Sequence, residues 1–352
     1  MKQHVLYPPL ALAGLGGVVD IVFLVRARLF GMLGYLPECQ QTLCIDFATD
    51  PPRPPADLFP EISDAHWQAV ALAASEQALI GLGPDIPQLV DRILSGDDEV
   101  AWIAGIVPVQ LLERYSGGEA SQIPALTRAA LAFCAEDPTR GDPNQADSWY
   151  ELLYAKLQAI SPGGAALHNL ALRHGVVSDT AGPPATLALV AGCGGGTGNG
   201  SLLMVAACAR AIAAEIGLRL RIHAFLLSGI YRPTDGMEPR KLALEYTLDE
   251  DLEYAMDPAR PPLKVVLGRD RQITASGPLF DDITRFDAGA RLEHDYASMA
   301  NLAAETILFR YFSAAGQALL RSGANAPMIP ALRRLRKERS WLDCKAQEEE
   351  VA

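Results

Sequence analysis

The stretch ATLALVAGCGGGTGNGSLLMVAA, residues 185–207, decides the fold of this chain. Its first seven residues form an apolar run of strand length, and its last seven read as the start of a helix. Between them lie Gly194, Gly195, Gly196, Thr197, Gly198, Asn199 and Gly200. Glycines at a strand-to-helix junction reach dihedrals closed to other residues and let backbone N–H groups approach a ligand. Those amides, with the positive end of the following helix, favour an anion, most often a phosphate. The residues from Gly194 to Gly200, with the Ser201 hydroxyl, are therefore candidate phosphate contacts in a nucleotide-binding protein.

Toward the N-terminus a similar pattern appears. Leu10, Ala11, Leu12 and Ala13 read as a buried strand, Gly14, Gly16 and Gly17 as a turn, and Val18 to about Leu33 as a helix. A second strand at residues 42–47 carries Asp46 near its carboxyl end. Pro51, Pro52, Pro54 and Pro55 then break regular structure. Residues 62–172 read as mainly helical, with a long helix at 145–160.

Toward the C-terminus, the helix starting near Ser201 should close at Gly217, a suitable cap. Leu218, Leu220, Ile222 and Ala224 alternate with Arg219, Arg221 and His223, as in a strand. Leu244, Leu248, Leu252 and Ala255 make a helical stripe. A short buried strand at 263–267 and a long helix at 294–320 come next. Strands alternating with helices predict an α/β fold, a mostly parallel sheet with helices on both faces. The expected division is one nucleotide-binding domain at 1–325, with a helical insertion at about 60–172, and a charged tail at 326–352. That tail, basic from Arg333 to Arg339 and acidic from Glu348 to Glu350, is a candidate docking segment for a protein partner.

Lys plus Arg number 30 and Asp plus Glu 42, a formal net charge of −12. Such a balance argues against nucleic acid, whose affinity rests on cations meeting phosphates. The six cysteines lack paired zinc-type spacing, which in a chain of 352 residues fits free thiols and a cytoplasmic setting. None of the six histidines forms a metal-ligand pair at helix spacing, so no metal site is expected. The apolar run at 5–25 holds Pro8, Pro9 and Asp20. An aspartate at bilayer depth costs about 2.5–3.5 kcal/mol, so the run reads as strand, turn and helix rather than a membrane span.

Three nucleotide readings compete. A P-loop needs a lysine after its last glycine. Gly195 and Gly200 have that spacing, but Ser201 stands in the lysine's place. A dinucleotide fold needs Gly-x-Gly-x-x-Gly or Ala after its first strand and an acid ending the second. Gly14, Gly16 and Asp46 fit; Val19 occupies the third small position. An NAD(P)-binding oxidoreductase thus remains an alternative, as does a structural glycine loop in a nucleotide-free interaction protein.

The third reading accounts for both glycine turns. Gly-Gly-Gly-Thr-Gly-x-Gly after a strand resembles the signature of the tubulin and FtsZ superfamily, in its bacterial tubulin-like branch. The resemblance spans about residues 7–320. It implies that residues 194–201 and Gly14, Gly16 and Gly17 cradle the phosphates of GTP or GDP, with Mg2+. It places Asp46 at a second strand end and makes Gly117 and Gly118, before Leu126, Thr127, Arg128 and Ala129, a further phosphate-side loop. Asp235 and Arg240 resemble a ribose and phosphate loop, and Tyr296 and Asn301 belong to a long helix that meets the guanine. Partners implied are the guanine nucleotide and further copies of the chain, in a switch, scaffold or self-assembling protein.

Two departures from the family matter. Val18, Val19 and Asp20 stand where small residues are usual. After Leu320 no acid appears before Glu338, and the family's usual second domain is not expected in the residues beyond that helix. A carboxylate placed to orient water is how such a site would hydrolyse GTP. No catalytic residue is therefore assigned, and hydrolysis is expected to be weak or partner-dependent.

Overall fold

The computed structural model describes residues 9–48, 50–83, 85–113, 123–166, 184–228, 238–286, 296–313 and 316. Its strands are β1 (Leu10–Leu15), β2 (Gln40–Asp46), β3 (Gln77–Leu79), β4 (Ala185–Gly192), β5 (Leu220–Leu227), β6 (Leu263–Val266), β7 (Gln272–Ala275) and β8 (Asp282–Phe286). Its helices are α1 (Val19–Leu33), α2 (Asp64–Ala69), α3 (Ile86–Leu94), α4 (Val109–Glu113), α5 (Pro124–Glu136), α6 (Trp149–Ala159), α7 (Gly196–Glu215), α8 (Glu238–Met256) and α9 (Tyr296–Phe312).

Six strands form one parallel sheet in the order β3-β2-β1-β4-β5-β8. The α/β expectation is met. β1 and β4 are buried along their whole length, which explains their continuous apolar runs: helices cover both faces. On one face α1 and α9 pack Ile21, Val22 and Val25 with Met299, Ala303 and Ile307. On the other, α5, α6 and α7 contribute Leu126, Ala130, Leu153, Leu202 and Val205. The chain runs outward from β1 to β3, then returns to β4 beside β1 and continues to the opposite edge. The β1/β4 boundary is therefore the topological switch point, where open α/β sheets bind ligands beyond the strands' carboxyl ends.

Several elements differ from the expectations. The stretch read as mainly helical also supplies β3, an edge strand of three residues. The strand at 263–267 lies outside the main sheet, paired antiparallel with β7. Its place in the sheet is taken by β8. The helix expected at 145–160 begins at Trp149, where Ser148 and Glu151 close a reciprocal capping box. Helix α7 starts at Gly196, five residues ahead of Ser201. It ends as expected, with Gly217 at φ +66° and the Leu218 N–H bonded to Ala213 O at 2.8 Å. Among the described residues no helix is long and apolar enough to cross a membrane. Residues 10–25 of the apolar N-terminal run become β1, a turn and the first part of α1, while residues 5–8 lie outside the described residues.

His223, expected on a half-polar strand, is fully buried in β5 and shares a 2.5 Å hydrogen bond with Tyr311. Burial, with Arg310, Arg221 and Arg210 nearby, pushes its pKa down to about 3. The folded state therefore keeps His223 neutral where the unfolded chain, near pKa 6.5, would take a proton. This contribution is complete above that value and is lost as pH falls toward 3. Unfolding at pH 4–5 is expected to take up about one proton more in the wild type than in His223→Phe. Urea titrations across pH 4–7 check this through the slope of stability against pH.

Candidate functional site

β1 and β4 end side by side, with Leu15 paired to Ala191, so the two glycine turns adjoin. Gly16 has φ +74°, and its N–H donates to Ile45 O at 2.8 Å. A Cβ there would sit 2.8 Å from Thr197 Cβ and 3.2 Å from the Gly198 nitrogen. A side chain at residue 16 would thus separate the two turns. Gly14 acts within β1, where a Cβ would fall 2.8 Å from Val22 Cγ2 and hold α1 off the strand. Val18 and Val19 are buried in the core on the α1 face. Asp20 lies in the first turn of α1 and is engaged within the protein.

The run from 194 to 200 divides at Gly196. Gly194 and Gly195 remain loop, while Gly196, Thr197, Gly198, Asn199 and Gly200 are already helix. The Asn199 N–H bonds to Gly195 O at 3.2 Å, and those of Gly200 and Ser201 continue the helical ladder. Only the amides of Gly196, Thr197 and Gly198 stand ahead of that ladder. The Ser201 hydroxyl, fully buried, donates back to Thr197 O at 2.6 Å. Its hydrogen bond closes within the helix. Gly198 and Gly200 answer to protein neighbours: added Cβ atoms would lie 2.7 Å from Gly192 O and 2.5 Å from Pro124 O. Gly195 differs. Its backbone is extended, at φ −97° and ψ 148°, and among the described residues an added Cβ would meet only Gly192 O, at 4.0 Å. Neither its conformation nor any atom of the described residues requires glycine.

A third helix start borders the same point. Thr127 Oγ1, in the first turn of α5, donates to Gly196 O at 3.1 Å. Leu126, Arg128 and Ala129 share that helix, while Gly117 and Gly118 lie outside the described residues. The N-terminal residue of α9, Tyr296, reaches over the β1–α1 turn and donates from Oη to Gly17 O at 3.2 Å. Asn301 lies farther along α9, where its side-chain oxygen accepts a bond from Arg28 of α1. Asp46 ends β2 beside Ile45, and its backbone oxygen accepts the Ile80 N–H at 2.8 Å. Arg240 is exposed in the first turn of α8. Asp235 lies outside the described residues.

The electrostatics depend on the caps. Side-chain oxygens of Ser63, Asp85 and Ser148 cap α2, α3 and α6. The helices at the switch point have none: Val18, Ile123 and Gly195 stand at the N-caps of α1, α5 and α7 without a side-chain hydrogen bond. Among the described residues three helix N-termini without side-chain caps therefore meet at one edge of the sheet. Val19 and Ile21 of α1 donate to Gly16 O and Val18 O, and Leu126 of α5 to Ile123 O, so the amides open to a ligand are chiefly those of Gly196, Thr197 and Gly198 in α7. Such an arrangement suits an anion of several charges. Among the described residues no group of three His, Cys, Asp or Glu side chains is placed to hold a metal ion.

Sequence reasoning missed the polar cluster behind this edge. Arg285 of β8 donates to Asp249 at 2.6 Å and to Glu245 at 3.2 Å, and Ser228, just past β5, donates to Glu245 at 2.7 Å. The only trace in the sequence is a pair of acids four apart, Glu245 and Asp249, flanking the apolar stripe of α8. Arg285 is 36 positions from Asp249, too far for any local pattern.

No protein-family model matches the chain, and no curated protein sequence matches it. Solved structures similar in fold include CetZ2 from Haloferax volcanii in a GTPγS-bound protofilament, at 13% identity and TM-score 0.39 over 93% of this chain and 63% of that one. TubZ of Bacillus thuringiensis serovar israelensis in a GTPγS-form protofilament gives 10% identity and TM-score 0.38 over 85% of this chain and 55% of that one. A type III plasmid segregation TubZ gives 11% identity and TM-score 0.33 over 86% and 55%. The chain thus spans between 55% and 63% of the length of these three structures.

Proposed function

We propose that this chain binds a guanine nucleotide, GTP or GDP with Mg2+, at the β1/β4 switch point and acts in the cytoplasm as a nucleotide-dependent switch, scaffold or self-assembling protein. The observation that carries this reading is the convergence of three uncapped helix N-termini on one glycine-lined edge. Amides of Gly196, Thr197 and Gly198 would take the phosphates, with the Gly16–Gly17 turn as the facing wall and Gly195 leaving room for their approach. Bound Mg2+ would neutralise phosphate charge. The choice of guanine rests on the sequence resemblance; Tyr296 is buried and, through its bond to Gly17 O, ties the start of α9 to the facing turn. Hydrolysis is assigned no residue of its own and is taken to be weak or partner-dependent.

One observation favours a second reading. The strand order is that of the doubly wound dinucleotide fold, which would take NAD(P) at the same edge. A thermal-shift screen of GTP, GDP, ATP and NAD with magnesium separates the two. The preferred ligand at 100 times its dissociation constant should stabilise the chain by about 2.7 kcal/mol. A shift with GTP or GDP and none with NAD is the expected result. A shift with NAD alone would replace this reading with the oxidoreductase, and none with any nucleotide would leave a structural loop.

A further inference from the structure

Helix α8 is held on its inner face by polar bonds as well as by Leu248, Leu252 and Ala255. Asn199, in the first turn of α7, gives its Nδ2 to Cys193 O at 3.2 Å and to Leu244 O at 2.8 Å. One carboxamide therefore joins the loop before the glycines, the start of α7 and the second turn of α8. Around it, Ser228 and Arg285 hold Glu245, Arg285 holds Asp249, and Arg128 of α5 pairs with Asp251 at 2.7 Å. The Asn199 and Arg128 bonds tie α8 to helices that start at the glycine edge, and those from Ser228 and Arg285 tie it to the β5–β8 side of the sheet.

Asn199 makes these bonds at a cost. The residue is 1% exposed, and its Oδ1 has no hydrogen-bond partner among the described residues. An unpaired buried polar atom is destabilising, because it loses its hydrogen bonds to water without replacement. A serine or threonine at this position would leave no such orphan, but neither side chain spans the gap between the Cys193 and Leu244 carbonyls. On its far side α8 exposes Tyr246 at 49% and Tyr254 at 36%, two aromatic groups two turns apart.

We propose that Asn199 is a positioning residue that couples occupancy of the glycine edge to helix α8, and so to the outer face carrying Tyr246 and Tyr254. The proposal rests on the nucleotide reading. An anion bonded to the amides of Gly196, Thr197 and Gly198 fixes the first turn of α7, which otherwise lacks a cap. Fixing that turn fixes the Asn199 carboxamide, and with it the donor to Leu244 O. The helix then loses freedom at its second turn, where the apolar stripe begins.

The test is amide hydrogen exchange on the full chain with and without GTP and magnesium, with calorimetry of GTP binding alongside. In the wild type, GTP is expected to slow exchange around Leu244 to Leu248 by about fivefold or more, the lower end of common coupling factors. In Asn199→Ser the slowing in α8 should vanish while the start of α7 still responds to GTP. Asn199→Leu, of similar size, uncharged and without the N–H donors, gives the same comparison if the serine variant fails to fold. Measurable GTP binding with unchanged exchange in α8 overturns the coupling, as does a full α8 response in either variant. Absence of GTP binding in the wild type is seen by calorimetry alone; it removes the nucleotide reading and the coupling with it.

Discussion

Gly195→Asp is expected to stabilise the ligand-free chain slightly and to abolish its thermal response to GTP and magnesium. Residue 195 is the N-cap of α7, and its extended backbone, φ −97° and ψ 148°, is what an N-capping aspartate adopts. Among the described residues there is room, since an added Cβ meets only Gly192 O at 4.0 Å. The carboxylate can then accept from the N–H of Thr197 or Gly198. Against glycine, that bond and the helix dipole are together worth about 0.3–1 kcal/mol. The same carboxylate occupies the amides a phosphate needs and opposes its charge. The stabilisation of about 2.7 kcal/mol by GTP at 100 times its dissociation constant should therefore disappear.

Gly198→Ala makes the counterpart. Its Cβ would press on Gly192 O at 2.7 Å and Gly192 N at 2.8 Å, backbone atoms that cannot swing aside. That variant should lose about 1–3 kcal/mol of stability before any ligand is added. Scanning calorimetry with and without GTP reads both effects. An undiminished GTP shift in Gly195→Asp would show that the α7 amides do not hold the phosphates.

The two glycines show how far the sequence could be read. That residues 194–200 lie between a strand and a helix is plain from the flanking apolar runs, because β4 and α7 are buried and need them. Where the helix begins is not. Glycine is a poor helix former, by about 0.8–1.0 kcal/mol against alanine, so local propensity places the start at Ser201. Tertiary contacts override it: Gly198 and Gly200 sit inside the helix because β4 and α5 come too close for any side chain. The earlier helix start has a functional consequence. Amides of Asn199, Gly200 and Ser201 that read as ligand contacts are spent on the helical ladder, and the Ser201 hydroxyl on Thr197 O.

Short or polar edge strands were equally hidden. β3 has three residues, and β8 reads Asp-Ile-Thr-Arg-Phe, with too few apolar positions to stand out. The strand at 263–267 was legible as a strand, but nothing local says which sheet it joins. The join between the N-terminal turn and the 194–200 run was legible only through the family resemblance. Physically it rests on the parallel pairing of β1 with β4, a contact across about 180 residues that no periodicity reports. Asn301 shows the opposite case. Its place on α9 was readable, whereas its bond to Arg28 depends on how α9 lies against α1.

Arg285→Met is expected to cost about 3–5 kcal/mol of stability, the usual result of removing one partner from a buried ionic cluster. The Arg285 side chain is 7% exposed, and its partners Glu245 and Asp249 are 2% and 14% exposed. Methionine fills much of the volume, so the cost comes chiefly from two carboxylates kept from water without their shared cation. Replacing all three together, as Arg285→Met with Glu245→Leu and Asp249→Leu, should recover most of the loss, because matched apolar groups carry no desolvation penalty. Urea unfolding of the single and triple variants measures both. A loss under about 1 kcal/mol in the single variant would mean that the cluster is well hydrated or held by other groups of α8, such as the buried Lys241. The recovered triple variant then separates stability from placement. With Leu244 O still bonded to Asn199 but no charges holding the inner face, α8 would pack by apolar contact alone, which fixes its axial position less sharply than paired charges do. Amide exchange in α8 of the triple variant should therefore be faster than in the wild type at equal global stability. That outcome identifies the Arg285 cluster as the device that sets where α8 sits at the glycine edge.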